Sequence, residues 1–257
     1  MRSPGQSPTI LPNGARDGRD MRWEAHRAKR RRQLVEAALK AIRKHGAGVG
    51  MDEIAATAGT SKTVLYRHLG DRSGLYHAVV ASVDETILAD LAAARESGED
   101  VVSRIAAMVS SYLHMVERDP AIYRFVMTRP LETTEGDPSD PIRQITGHIG
   151  EQLTQVLHQH LSTTGRAAEA DLLAPVWGHG IVGLVRSAAD QWLTRTPHST
   201  GTPTPTVDDV THAVVALIRP ALSHPAPEDP DPGAPVRADR ASPIPSPTPE
   251  PHPSKGR

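Results

Sequence analysis

The chain of 257 residues contains no cysteine, a single phenylalanine and only 3% aromatic residues. Without thiols there is no disulfide framework, no cysteine-ligated zinc and no cysteine nucleophile, which suits a reducing, cytoplasmic setting. A chain of this length still buries a sizeable core unaided. No apolar run of about 18 residues occurs, and the N-terminal segment has no apolar stretch of signal-peptide length, so neither membrane association nor export is expected. Polar and apolar residues never alternate long enough for a half-buried strand. Apolar residues instead recur every three or four positions, and the expected class is all-α. Catalytic signatures are missing as well. There is no HExxH and no zinc spacing, His158 and His160 point to different helix faces, and the GAGVG run at 46–50 follows a helix where a dinucleotide loop would follow a strand. No enzymatic activity, cofactor or metal is expected.

What the chain does have is charge asymmetry beneath a net charge of −1. Residues 1–72 hold 15 Lys and Arg against 7 Asp and Glu, a net of +8, and the remaining residues carry −9. A basic N-terminal part neutralises phosphates, and an acidic remainder is repelled by a duplex and so orients the molecule. Residues 1–22, rich in Gly, Pro, Arg and Asp, are expected to form a disordered basic arm. Residues 223–257 hold 11 of the 23 prolines and are expected to form a disordered spacer or docking tail.

The basic part ends in MDEIAATAGTSKTVLYRHLGDR, residues 51–72. Ile54, Ala55 and Ala58 recur at helical spacing, and Gly59 supplies the positive φ that ends a helix. Ser61 caps a second helix whose inner face is Val64, Leu65 and Leu69. Two helices joined so tightly form a helix-turn-helix, with Lys62, Thr63, Tyr66 and Arg67 left on the outer face for a DNA major groove.

Residues 55–80, together with the preceding Ile54, resemble the DNA-binding domain of the TetR family of one-component repressors. The resemblance rests on Ala58-Gly59, the Ser-Lys start, the Leu-Tyr-x-His core and the Leu75-Tyr76 pair. It departs at Val49-Gly50-Met51, where members commonly carry a capping, phosphate-holding hydroxyl. The DNA-contacting set expected is Thr60, Ser61, Lys62, Thr63, Tyr66, Arg67, His68 and Arg72. Lys62, Thr63 and Arg67 suit base edges. The resemblance assigns phosphates to Tyr66, His68 and Arg72, although Tyr66 and His68 also suit packing against the first helix. Lys29 to Arg32 are placed to touch flanking backbone or to send the arm into a minor groove.

Helices are expected at about Trp23–His45, Arg72–Glu96, Glu99–Arg118, Pro120–Leu131 capped by Asp119, Pro141–Ser162, Ala167–Arg195 and Val207–Leu222, with loops at Glu132–Asp140 and Pro197–Thr206. The domain boundaries are then 23–70 for the DNA-binding head and 71–222 for a regulatory and dimerisation body. The last two helices are the most apolar and include Gly178, Gly180 and Gly183. The resemblance implies that they pair with a second copy into a four-helix homodimer interface; the same pattern fits a buried core helix. It also implies release from a palindromic operator by a small hydrophobic effector. Met108, Tyr112, Met115, Tyr123, Phe125 and Trp177 are the candidate pocket residues, with His114, His148 and His179 as polar groups, and a plain apolar core accounts for the same pattern. A purely helical scaffold protein is the rival class, and it would leave no footprint on DNA.

Overall fold

The computed structural model describes residues 18–128, 140–194 and 204–223. Among these residues the regular structure is helical throughout: α1 (Gly18–His45), α2 (Met51–Thr57), α3 (Lys62–Leu69), α4 (Arg72–Glu96), α5 (Val101–Arg118), α6 (Pro120–Met127), α7 (Pro141–Thr163), α8 (Ala167–Thr194) and α9 (Val207–Ser223). The expected disorder of residues 1–17 and 224–257, and the expected loops over 132–139 and 197–203, lie outside the described residues.

Local chemistry sets most of these boundaries. Asp71, Asp100 and Asp140 each accept a backbone N–H from the first turn of the helix that follows. At the start of α9, Thr206 and Asp209 cap each other reciprocally: Thr206 N donates to Asp209 at 2.8 Å and Asp209 N donates to the Thr206 hydroxyl at 3.2 Å. Three expectations need correction. The first helix begins at Gly18 rather than Trp23: Arg19, Met21 and Arg22 are good helix formers and no proline interrupts the stretch. Asp119 precedes α6 but does not cap it, since its carboxylate is taken by Arg43 at 2.7 Å. α6 stops at Met127, four residues short of the expected Leu131; Thr128 is already extended, ahead of the helix-breaking Pro130.

Leu34, Ala38 and Ile42 of α1 pack with Ile54, Leu65 and Leu69 to make the head, and the same apolar cluster continues through α4 into the body. α4 runs unbroken from one to the other. Two further ties brace the corner of α6, one to the start of α4 and one to α1. The Tyr76 hydroxyl on α4 donates to the Val126 carbonyl of α6 at 2.7 Å, and Arg43 of α1 meets Asp119 at the α5–α6 corner.

α7 and α8 make the tightest pairing in the body. A side-chain carbon at Gly178 would stand 2.9 Å from the Gly150 carbonyl oxygen and 2.7 Å from the Thr154 hydroxyl, so α7 backbone fills the space a side chain would take. Nothing lies within 4 Å of such a carbon at Gly180 or Gly183. The three glycines expected to serve one purpose thus divide, one inward and two outward. α8 reaches a mean hydropathy of 1.2 over 18 residues, which by length and composition is enough to cross a membrane, although no uninterrupted apolar run underlies it: His179, Arg186 and Asp190 break the sequence.

Candidate nucleic-acid interface and effector cavity

The turn between α2 and α3 is built by Gly59 at φ +60°, with Thr60 N donating to Ala55 O at 3.0 Å. Ser61 then caps α3, accepting from Val64 N at 3.3 Å. Leu65 and Leu69 are buried and Val64 is half-buried, so the opposite face of α3 is turned outward by necessity. Ser61, Lys62, Thr63, Tyr66 and Arg67 are exposed on it, while Thr60 and His68 are half-buried at its edges. Arg72, also exposed, is the first residue of α4. Of these eight residues, Thr60, Arg67 and His68 line one groove. Gly50 precedes α2 with no side-chain cap, matching the missing hydroxyl read in the sequence.

Lys62 is not idle in the unbound head. Its ammonium pairs with Asp52 of α2 at 3.0 Å, and that hydrogen bond raises its pKa. His68 is held below the ordinary histidine pKa, first by burial and then by Arg67, Arg30, Arg27 and Arg31, so at neutral pH the uncharged ring is favoured. Its carbonyl accepts from Arg31 Nη1 at 2.7 Å, tying α1 to the end of α3. Between the two helices runs an open groove of about 980 Å³ lined by Trp23, His26, Arg27, Arg30 and Arg31 on one side and Thr60, Val64, Arg67 and His68 on the other. Sequence reasoning reached only Arg30 and Arg31 of the α1 wall. Trp23, His26 and Arg27 were legible only as a continuation of the core stripe of α1.

In the body, α4 to α8 enclose a narrow apolar cavity of about 50 Å³. Of the six expected residues, Met108, Tyr112, Met115 and Tyr123 line it. Phe125 and Trp177 do not: Phe125 is buried against Tyr76, ring centres 5.9 Å apart, and Trp177 lies under the Arg166 guanidinium at 5.3 Å. His114, His148 and His179 are also elsewhere, His148 pairing with Asp84 at 2.7 Å across α4 and α7. The polar groups at the cavity are Tyr112, Tyr123, Thr146 and Arg186. The Tyr123 hydroxyl donates to Asp190 at 2.6 Å. Burial pushes the Tyr112 phenol up to about 12 and raises that of Tyr123 as well, so both remain protonated hydrogen-bonding groups at neutral pH. Arg186 and Thr146 were missed because neither belongs to an aromatic or sulfur-bearing stripe.

Residues 34–79, spanning most of α1 through the start of α4, match the sequence profile described as "Bacterial regulatory proteins, tetR family", and residues 90–219 match that of the "Tetracyclin repressor-like, C-terminal domain". The chain belongs to the TetR family. An HTH-type transcriptional regulator of Mycobacterium tuberculosis is 33% identical over 178 residues, 69% of this chain and 73% of its own length. The transcriptional activator FasR of Mycolicibacterium smegmatis is 35% identical over 101 residues, 39% of this chain and 46% of its own. Among solved structures, a TetR-family regulator from Rhodococcus sp. superposes with a TM-score of 0.59 at 19% identity, covering 76% of this chain and all of that one. Bacillus subtilis FadR in complex with stearoyl-CoA gives 0.58 at 14% identity, covering 72% and 96%. The structural neighbours share the TetR fold, and the profiles and relatives make this member a DNA-binding transcriptional regulator.

Proposed function

We propose that this TetR-family regulator acts as a cytoplasmic, nucleoid-associated homodimeric repressor that binds a palindromic operator and is released by a small, largely hydrophobic effector. The observation that carries the reading is the exposed patch on α3 beside a positively charged groove, at the basic end of an otherwise acidic chain. Residues 23–70 are the reading head and 71–222 the regulatory body. Lys62, Thr63 and Arg67 take base edges, and Thr60, Ser61, Tyr66, His68 and Arg72 fix the register on the backbone.

The dimer is supported by an apolar stripe left open on the last two helices. Leu172, Val176, Gly180 and Gly183 follow one face of α8, with Leu172 68% and Val176 60% exposed, and Leu217 of α9 is 67% exposed. Large apolar side chains left uncovered in a row are the mark of an association face. Two heads joined there read half-sites about 34–36 Å apart or a multiple of it, which makes the operator a palindrome.

Release has a mechanical basis in α6. Its residues Ile122, Tyr123 and Val126 wall the cavity, and its ends hold the two ties that reach Tyr76 and Arg43. Ligand pockets usually measure about 300–1,000 Å³, so an effector must widen this cavity, moving α6 and α4 and with them the head. It shifts the equilibrium only if it prefers the widened state.

Selection from random duplexes with the purified protein tests the whole reading, a palindromic consensus being the expected result. On that site Arg67→Ala is expected to cost about 1–3 kcal/mol and to relax preference at one base position, whereas Arg72→Ala weakens all sequences alike and lowers the salt slope by about one unit. Uniform weakening by Arg67→Ala would remove it from the base-reading set. For a hydrophobic compound found by thermal-shift screening, calorimetry is expected to give weaker binding to the operator complex than to free protein. Equal affinities would refute release by that route. In vitro transcription from a promoter overlapping the selected site is expected to fall on adding protein; a rise would make this regulator an activator, as its relative FasR is named.

A further inference from the structure

One stripe of α1 runs Trp23, Arg27, Arg30, Leu34, Ala38 and Ala41, at intervals of three and four residues. From Leu34 onward it is core, with Leu34 1% exposed and Ala38 and Ala41 fully buried. Upstream of Leu34 the helix outruns the rest of the head, and the same stripe changes character. Trp23 is 66% exposed, Arg27 is exposed and Arg30 is half-buried, with His26 and Arg31 flanking them. Where a helix stripe is covered by protein it is apolar. Here the uncovered part offers guanidinium groups and one flat indole, which fits an anionic, ring-bearing partner.

The uncovered part of this stripe is one wall of the groove whose other wall includes Arg67 and His68 of α3, so a strand held at Arg67 also lies along α1. The two walls are held in register by the Arg31 to His68 carbonyl hydrogen bond. Burial first, and then the guanidinium groups of Arg67, Arg30, Arg27 and Arg31, hold His68 below the ordinary histidine pKa, in keeping with a positive groove. The extension rises roughly 24 Å over residues 18–33 at about 1.5 Å per residue, long enough to follow several phosphates of one strand.

Resting on the reading of α3 as the DNA-recognition helix, we infer that residues 18–33 of α1 are a second DNA-binding element, which clasps one phosphodiester strand in the α1–α3 groove while α3 occupies the adjacent major groove. Arg27 and Arg30 bind phosphates, and the Trp23 ring lies against deoxyribose. The extension adds affinity for any duplex without adding base preference.

The test uses full-length protein and a mixed-sequence duplex of about three helical turns, with affinity measured by fluorescence anisotropy between about 50 and 200 mM NaCl. The triple variant W23A/R27A/R30A is expected to lower the slope of log K against log salt by about two units per protomer. Its melting temperature is expected to match the wild type, since these side chains stand off the core. Removing the same charge from the body in Arg143→Ala/Arg219→Ala is expected to leave the slope unchanged. A triple variant with the wild-type slope overturns the clasp, and so does an equal loss in the body control, which would reduce the effect to net charge. Neither result touches the palindrome selection or the Arg67→Ala test, which stand or fall with α3 alone.

Discussion

Replacing Gly178 with valine is expected to destabilise the protein by about 3 kcal/mol or more, at or above the upper end for overpacking a filled site. At roughly 2–4 °C per kcal/mol for a chain of this size, the melting temperature drops by about 6–12 °C. The reason is what a side chain would meet. The Gly150 carbonyl at 2.9 Å and the Thr154 backbone nitrogen at the same distance belong to the main chain of α7, which cannot turn aside as the end of a flexible side chain would. The two helices must part, and the contacts on either side of Gly178 loosen together. Gly180→Ala provides the contrast, because the space around it is open. There the substitution removes the glycine penalty of about 0.8–1.0 kcal/mol in a helix interior and is expected to raise the melting temperature of the protomer. Circular dichroism melts of the two variants decide the matter. An unchanged melt for Gly178→Val would mean that α7 and α8 lie farther apart than described.

Introducing aspartate at both Val176 and Leu217 is expected to convert the dimer to monomer and to weaken operator binding by about 10²–10⁴-fold, the usual gain from joining two binding modules. Both side chains are largely exposed in the protomer, so the substitutions leave its core intact and the melt of the isolated subunit nearly unchanged. In a symmetric interface each substitution occurs once per protomer, so the two place four carboxylates against apolar surface. Sedimentation velocity reports the mass and anisotropy the affinity. A double variant that remains dimeric would move the association face off α8 and α9, and one that is monomeric yet binds the full palindrome undiminished would show that the heads read it independently.

The outline of this fold was legible because its signals are local. The Ser61 cap, the Gly59 turn and the spacing of apolar residues in α4 each specify structure within one or two turns, whereas the Asp100 cap went unread and the expected start of α5 fell at Glu99 instead of Val101. Boundaries set by distant partners were not legible. Asp119 reads as a cap in sequence, but Arg43, 76 residues earlier, outcompetes the backbone for its carboxylate. The exposed face of α3 was legible for the same local reason, as burying Leu65 and Leu69 leaves Lys62, Thr63, Tyr66 and Arg67 no other side. The cavity was legible only in part, because being aromatic or sulfur-bearing does not say which way a side chain points. Tyr112 and Tyr123 turn inward beside Arg186, while Phe125 turns toward Tyr76 and Trp177 toward Arg166. Of α1, only the first turn, residues 18–22, was hidden, because Gly18, Asp20 and the arginines around them read as disorder.

The head is mounted on the body by Arg43 and by the continuous α4, whose first turns the Tyr76 hydroxyl anchors to α6, and none of these belongs to α3. Even the bond from Arg31 ends on a carbonyl, which any residue at position 68 other than one that breaks the helix would supply. Lys62, Thr63, Tyr66 and Arg67 can therefore be exchanged without slackening a single strut. Vocabulary and machinery are encoded at separate addresses, so a descendant of this gene can change the outer face of α3 while inheriting the mounting of the head unaltered.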